Sequence, residues 1–143
     1  MIINEKLIDF YGKFKNKEDA IHQLITMAKI ENRIKDVTIF YEAVMKREAE
    51  ASTSLGYSVA IPHGRCDEVS EPFVAMAKLK EPMMWNDKEV RLIFLIGVPK
   101  SSSDNLHLKI LANLSKHLID DTFREVLLET EDVQEVLKLF SEF

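Results

Sequence analysis

Apolar residues recur three and four positions apart near both ends of the chain, which is the spacing of one face of an α-helix. The pattern over 17–30 predicts a helix with Asn16 as its N-cap, and Asp36 is placed to cap a second helix that ends near Glu50. The same spacing near the other end of the chain predicts three more helices, over 104–119, 121–128 and 131–140.

The middle of the chain has patterns typical of strands. Residues 72–80 alternate between apolar and polar or small side chains, and 90–98 is a dense apolar run typical of a strand buried on both faces. Shorter β-prone runs occupy 6–11 and 57–61. Strands in the middle with helices at both ends predict an α/β fold. We expect one domain over residues 1–143, in which helices flank a mixed β-sheet on both faces.

Composition removes several classes of function. The chain has 143 residues and a formal net charge of −5, with no basic block, so it is a poor candidate for binding nucleic acid. Its single cysteine, Cys66, cannot form an internal disulfide or a thiolate metal cluster, which favours a reducing compartment. The longest apolar run, 92–98, is too short to span a bilayer, so direct insertion into a membrane is not expected.

A strand that leads into a proline, a histidine and a glycine is the most informative local feature. Pro62 has no N–H to donate to a strand ladder, and Gly64 allows another backbone to approach closely. We therefore expect His63 to be exposed on a rigid strand end. A largely neutral imidazole can attack phosphorus without a separate general base. The alternative interpretation is a solvated surface histidine with no chemical role.

Four other side chains are candidates for binding phosphate. Arg47, near the end of the second helix, offers a fork of donors, although it could simply complement the helix dipole. Thr53 and Ser54 supply hydroxyl groups in the following loop. His107 lies in the first turn of its helix if Ser103 is the cap, where a neutral imidazole could donate toward a phosphate. A histidine at the edge of the core, satisfied by a backbone group, is the alternative for His107.

The residues before and after Pro62 follow a recognisable order. Glu48 is followed after six residues by Leu55-Gly56, and after two more by Val59-Ala60-Ile61-Pro62-His63-Gly64. This order resembles the phosphorylation-site signature of enzyme IIA domains of the phosphoenolpyruvate-dependent sugar phosphotransferase system. The class is the fructose/mannitol (type 2) class, which includes the nitrogen-regulatory IIA proteins. The resemblance extends over essentially the whole chain.

The resemblance implies a mannitol-IIA-like fold and a role for several residues. His63 matches the phosphorylated histidine, and Arg47 matches the arginine that steadies the phosphoryl group. His107 matches the histidine that hydrogen-bonds the phosphohistidine, and Thr53 matches a threonine of the adjacent loop. One departure is Leu106, which stands where the family often has a glutamate.

The resemblance also implies partners and a location. Such a phosphocarrier accepts phosphate from the histidine phosphocarrier protein HPr and passes it to a IIB domain, which serves sugar uptake through the IIC membrane permease. It works in the cytoplasm without a cofactor, a metal or nucleic acid. The alternative is a regulatory, nitrogen-type IIA protein whose phosphorylation state controls partner proteins. For docking to a partner protein, Tyr57, Val59 and Phe73 are candidates.

Overall fold

A mixed β-sheet forms the centre of the structure, a computed structural model that describes residues 2–102 and 104–141. The order across the sheet is β1-β5-β6-β3-β2, and β4 also pairs with β6. Strands β5 and β6 are antiparallel, whereas β1 is parallel to β5, and β3 and β4 are parallel to β6. The predicted mixed sheet is therefore confirmed. In the described ranges its strands are β1 (Ile8–Gly12), β2 (Ser54–Gly56), β3 (Val59–Ala60), β4 (His63–Cys66), β5 (Phe73–Trp85) and β6 (Lys88–Pro99).

Polar side chains cap several of the α-helices at their N-termini. The Asn16 side chain accepts a hydrogen bond from the Asp19 backbone N–H at 2.8 Å, and Asp36 accepts one from Ile39 at 3.0 Å. The predicted cap Ser103 lies outside the described residues. No helix in the described part of the chain is long and apolar enough to cross a bilayer. The α-helices that the structure describes are α1 (Lys17–Ile30), α2 (Val37–Glu50), α3 (Asp104–Ile119), α4 (Asp121–Glu129) and α5 (Val133–Leu139).

Helices cover both faces of the sheet, as predicted. Successive residues of a strand point to opposite faces. On one face, the ring of Phe73 in β5 packs against Phe40 of α2 with 5.9 Å between ring centroids. On the other face, Phe94 of β6 packs against Phe140, at the end of α5, with 6.0 Å between centroids. Strand β6 is consequently buried on both sides.

The predicted strands have different limits in the structure, and the differences at 57–61 and 72–80 have a local cause. Tyr57 and Ser58 have φ angles of 55° and 63°, and they form the turn between β2 and β3. Two left-handed residues suit a tight hairpin because they match the twist of its strands. The β-prone run 57–61 therefore contributes only Val59–Ala60 as a strand. Strand β5 continues to Trp85, beyond residue 80, because its outer part pairs with β6 in a hairpin.

Two adjacent glycines let helix α2 and an aromatic ring lie close to the sheet. Gly64 of β4 pairs with Gly97 of β6. A Cβ atom on Gly64 would be 3.1 Å from Cγ2 of Val44 in α2, and one on Gly97 would be 2.2 Å from the ring of Phe73. The absence of both side chains brings α2 close to the strand that starts at His63.

Candidate active site

His63 is the first residue of β4 and lies beside Ile96 of β6. Because strand residues alternate, Gly64 faces α2 while the His63 ring faces the other side of the sheet, toward α3. Only 8% of the His63 surface is exposed. The prediction of an exposed histidine is therefore wrong. The chain re-enters the sheet directly after Pro62 instead of leaving it, so neighbouring elements cover most of the ring.

The ring of His63 is held by a backbone carbonyl two residues earlier. Its Nδ1 atom lies 2.9 Å from the carbonyl oxygen of Ile61. Since a carbonyl oxygen only accepts, Nδ1 carries the proton and donates it. In a neutral ring the other nitrogen, Nε2, then has a free lone pair. The local fold thus determines which nitrogen of a neutral His63 ring has the lone pair.

The surroundings of His63 keep its imidazole uncharged. Burial lowers the pKa of His63 below its usual value of 6.5, and the positive charge of Arg47 acts in the same direction. The hydrogen bond to Ile61 and the carboxylate of Glu48 oppose this shift but do not cancel it. The ring is therefore mostly neutral, and hence nucleophilic, near pH 7.

The structure brings His107 against His63. His107 lies in the first turn of α3 and is half-buried. The centroids of the two rings are 5.4 Å apart, and the ring planes are nearly perpendicular, at 89°. Two imidazoles thus share one site although 44 positions separate them in the sequence.

Arg65 connects β4 to the loop that leads into α3, and the sequence analysis missed it. Its Nη2 group donates to the carbonyl oxygens of Lys100 at 2.9 Å and Ser102 at 2.8 Å. The strand that carries His63 is thereby tied to the segment that positions His107. The only available signal was the position of Arg65, two residues after His63.

The end of α2 supplies the charges of the site. Arg47 is half-buried, and its Nη1 donates to the carbonyl of Ala51 at 2.7 Å. The hydroxyl of Thr53 donates its proton to the buried carboxylate of Glu48. Ser54 is half-buried in β2, and its backbone N–H donates to Oγ of Ser52 at 3.3 Å.

Of the three residues predicted to dock a partner protein, only one is accessible. Tyr57 is exposed, but Val59 and Phe73 are buried in the core, so the prediction for these two residues is wrong. They sit on strands that are covered on both faces. Leu108, directly after His107, has 62% of its surface exposed and provides apolar surface beside the site. Leu106, on the other side of His107, is half-buried.

The other histidines lie outside this site. His22 is exposed in α1, and its ring meets the edge of Tyr41. His117 is half-buried, and its Nδ1 lies 2.7 Å from the carbonyl of Asn113. Among the residues that the structure describes, no group of three or more His, Cys, Asp or Glu side chains is arranged to hold a metal.

Comparison with known proteins gives consistent matches. Residues 1–143 match the family model described as "Phosphoenolpyruvate-dependent sugar phosphotransferase system, EIIA 2". A fructose-specific EIIA component from Haloferax volcanii is 38% identical over 129 residues, which cover 88% of this chain and 83% of that protein. The chain spans only 15% to 20% of the length of several larger EIIABC and multiphosphoryl transfer proteins that it also matches.

Two solved structures have the same fold. The nitrogen-regulatory protein IIA-Ntr from Neisseria meningitidis superposes with a TM-score of 0.86 at 28% identity, covering 94% of this chain and 93% of that one. IIA mannitol from Escherichia coli superposes with a TM-score of 0.82 at 26% identity, covering 97% and 99%. The mannitol-IIA-like fold is therefore confirmed.

The protonation of His63 can be measured directly by ¹⁵N NMR of its ring during a pH titration. We expect the neutral ring to carry its proton on Nδ1 and the pKa to lie below 6.5, because burial penalises the charged form. A pKa at or above 6.5, or a neutral ring protonated on Nε2, would contradict the geometry described above.

Proposed function

The chain belongs to the EIIA type 2 family of the phosphoenolpyruvate-dependent sugar phosphotransferase system, and we propose that His63 is the histidine through which it carries phosphate. Members of this family are phosphocarriers that transfer phosphate by way of a histidine. The observation that carries the assignment to His63 is its ring geometry. Nδ1 is engaged by Ile61, so a neutral ring keeps its lone pair on Nε2, and a second imidazole lies against the ring.

Acceptance of phosphate begins with the lone pair on Nε2 of His63. This nitrogen attacks the phosphorus of a phosphohistidine on the donor protein. A new N–P bond forms at His63 as the N–P bond of the donor breaks, and the electron pair of that bond returns to the donor's ring nitrogen. His63 needs no proton transfer, because its ring is neutral at the start and keeps the Nδ1 proton throughout. Donation to the next protein reverses these steps.

The surrounding groups stabilise the phosphorylated ring. Attachment of phosphorus to Nε2 makes the imidazole positively charged, so the hydrogen bond from Nδ1 to the Ile61 carbonyl becomes stronger. Arg47 supplies positive charge to the phosphoryl oxygens, and His107 donates an N–H to one of them. Phosphoryl transfer depends mainly on such positioning and preorganised charge.

The partners follow from the family. HPr is the phosphate donor and a IIB domain is the acceptor. The IIB domain serves a IIC permease in the membrane, and the exchange takes place in the cytoplasm. The similarity to a fructose-specific EIIA component from Haloferax volcanii favours a fructose-type system. Exposed Leu108, next to His107, gives a partner protein an apolar contact beside the reacting atoms.

A regulatory role is the second candidate. It is favoured by the superposition on IIA-Ntr from Neisseria meningitidis, which has the higher TM-score of the two structures compared above. In this role the same phosphohistidine would serve as a signal, and its phosphate would not be passed to a sugar-specific IIB domain.

Labelling tests the assignment of His63. With enzyme I, HPr and ³²P-phosphoenolpyruvate, the protein should gain an acid-labile, base-stable label, and His63→Gln should gain none. His22→Gln is the matched control, because His22 is exposed on α1 and lies outside the site. Label on His63→Gln equal to that on His22→Gln would show that another residue carries the phosphate.

The role of Arg47 predicts that Arg47→Lys slows phosphate acceptance by about 10- to 100-fold despite the conserved charge. An ammonium group cannot reproduce the fork geometry of a guanidinium, and loss of preorganised donors is costly in the transition state. Rapid-quench measurement of labelling by phospho-HPr provides the rate. A rate within twofold of the wild type would remove Arg47 from the proposed mechanism.

A chase experiment separates the transport role from the regulatory role. Labelled protein is mixed with a purified fructose-type IIB domain, and the transfer of ³²P to that domain is followed. We expect transfer within seconds if the chain supplies a sugar permease. Label that stays on the protein, while HPr still removes it in the reverse reaction, would favour the regulatory role.

A further inference from the structure

Glu48 is a buried carboxylate that the mechanism above does not use. Only 1% of its side chain is exposed, at the end of α2. Its oxygens accept hydrogen bonds from the hydroxyl of Thr53 and, at 3.4 Å, from the Thr53 backbone N–H. The ammonium of Lys17 lies 3.8 Å away and supplies a positive counter-charge. A carboxylate is costly to bury, so this arrangement requires all of its partners.

Backbone hydrogen bonds lead from Thr53 to the ring of His63. The carbonyl of Thr53 accepts a hydrogen bond from the Ile61 N–H at 3.0 Å. The carbonyl of Ile61 in turn accepts the Nδ1 proton of His63 at 2.9 Å. Thr53 is therefore fixed to Glu48 on one side and to the residue that orients the nucleophile on the other.

The segment between Glu48 and Ile61 needs such an anchor. Residues 51–53 lie between the end of α2 and the short strand β2, and the described backbone there has neither helical nor strand structure. Strands β2 and β3 are only three and two residues long, so few ladder bonds hold this edge of the sheet. The carboxylate of Glu48 reaches across the loop and replaces the bonds that a longer strand would provide.

We propose that Glu48 is a positioning residue for phosphoryl transfer. By anchoring Thr53, Glu48 holds the Ile61 carbonyl in place. That carbonyl in turn keeps the proton of His63 on Nδ1 and leaves Nε2 free to react. This inference rests on the proposed function, since it assumes that His63 is the phosphorylated residue. Glu48 does not contact the phosphate. It acts through Thr53 and Ile61, and its effect on transfer is therefore an effect on the ring of His63.

Glu48→Gln tests the inference because it keeps the shape of the side chain. A glutamine can accept from the hydroxyl of Thr53, but its amide N–H₂ then faces the Thr53 backbone N–H, donor against donor. Glu50→Gln is the matched control, since it removes the same charge from an exposed position on the same helix. A second variant, Thr53→Val, removes the hydroxyl and leaves the carboxylate in place.

Two measurements are made on each folded variant: the ¹⁵N spectrum of the His63 ring and the rate of labelling by phospho-HPr. Without a fixed acceptor beside Nδ1, the proton is shared between both ring nitrogens. Glu48→Gln and Thr53→Val should therefore show both tautomers and a labelling rate lower by about 10- to 100-fold, as for a misplaced reacting group. Glu50→Gln should keep the Nδ1–H ring and a rate within twofold of the wild type.

The inference is overturned if Glu48→Gln keeps the Nδ1–H ring, whether or not its labelling rate falls, because the effect would then not pass through His63. If Glu48→Gln does not fold, the ring spectrum of Thr53→Val is used instead, and a His63 ring that keeps its proton on Nδ1 in that variant overturns the inference. A failure of the proposed function is recognised separately, because label would then persist on His63→Gln. The ring spectra of the Glu48 and Thr53 variants remain interpretable in that case.

Discussion

The proposed function of this site depends on one hydrogen bond, from Nδ1 of His63 to the carbonyl of Ile61. An imidazole has two nitrogens, and without a constraint either one can hold the proton. Because the Ile61 carbonyl only accepts hydrogen bonds, it holds the proton on Nδ1 even when no partner protein is bound. In the proposed mechanism this carbonyl leaves the lone pair on Nε2 to act as the nucleophile, and it stabilises the positive charge that develops on the ring when phosphorus is attached.

Burial of the ring balances two opposing requirements. A phosphocarrier needs a neutral imidazole to accept phosphate, and burial together with the charge of Arg47 keeps it neutral by lowering its pKa. In the proposed mechanism the same site then holds a doubly charged phosphoryl group. The proposal assigns its stabilisation to the positive charge of Arg47 and to the neighbouring ring of His107. The groups that disfavour a proton on the ring thus favour a phosphoryl group on it.

The sequence was sufficient to predict what depends on local patterns. The helix caps Asn16 and Asp36 and the doubly buried strand β6 are visible in residue types and spacing. The pairing of His63 with His107 was implied by the family resemblance, because spacing alone also allowed a histidine at the edge of the core. The burial of His63 was not visible, because it depends on the chain re-entering the sheet after Pro62. The roles proposed for Glu48 and for the Ile61 carbonyl were also hidden, since a backbone acceptor has no sequence signature and a buried carboxylate is identified only by its partners.

Locating the N–P bond in the phosphorylated protein is the most direct test of whether Nε2 of His63 is the reacting atom. Isotope-edited NMR of the ³¹P- and ¹⁵N-containing ring shows which nitrogen is bonded to phosphorus. We expect coupling between phosphorus and Nε2 of His63, with a proton still on Nδ1 and its hydrogen bond to Ile61 intact. Phosphorus on Nδ1 would contradict this expectation, because that atom could then no longer donate to the carbonyl on which the site depends.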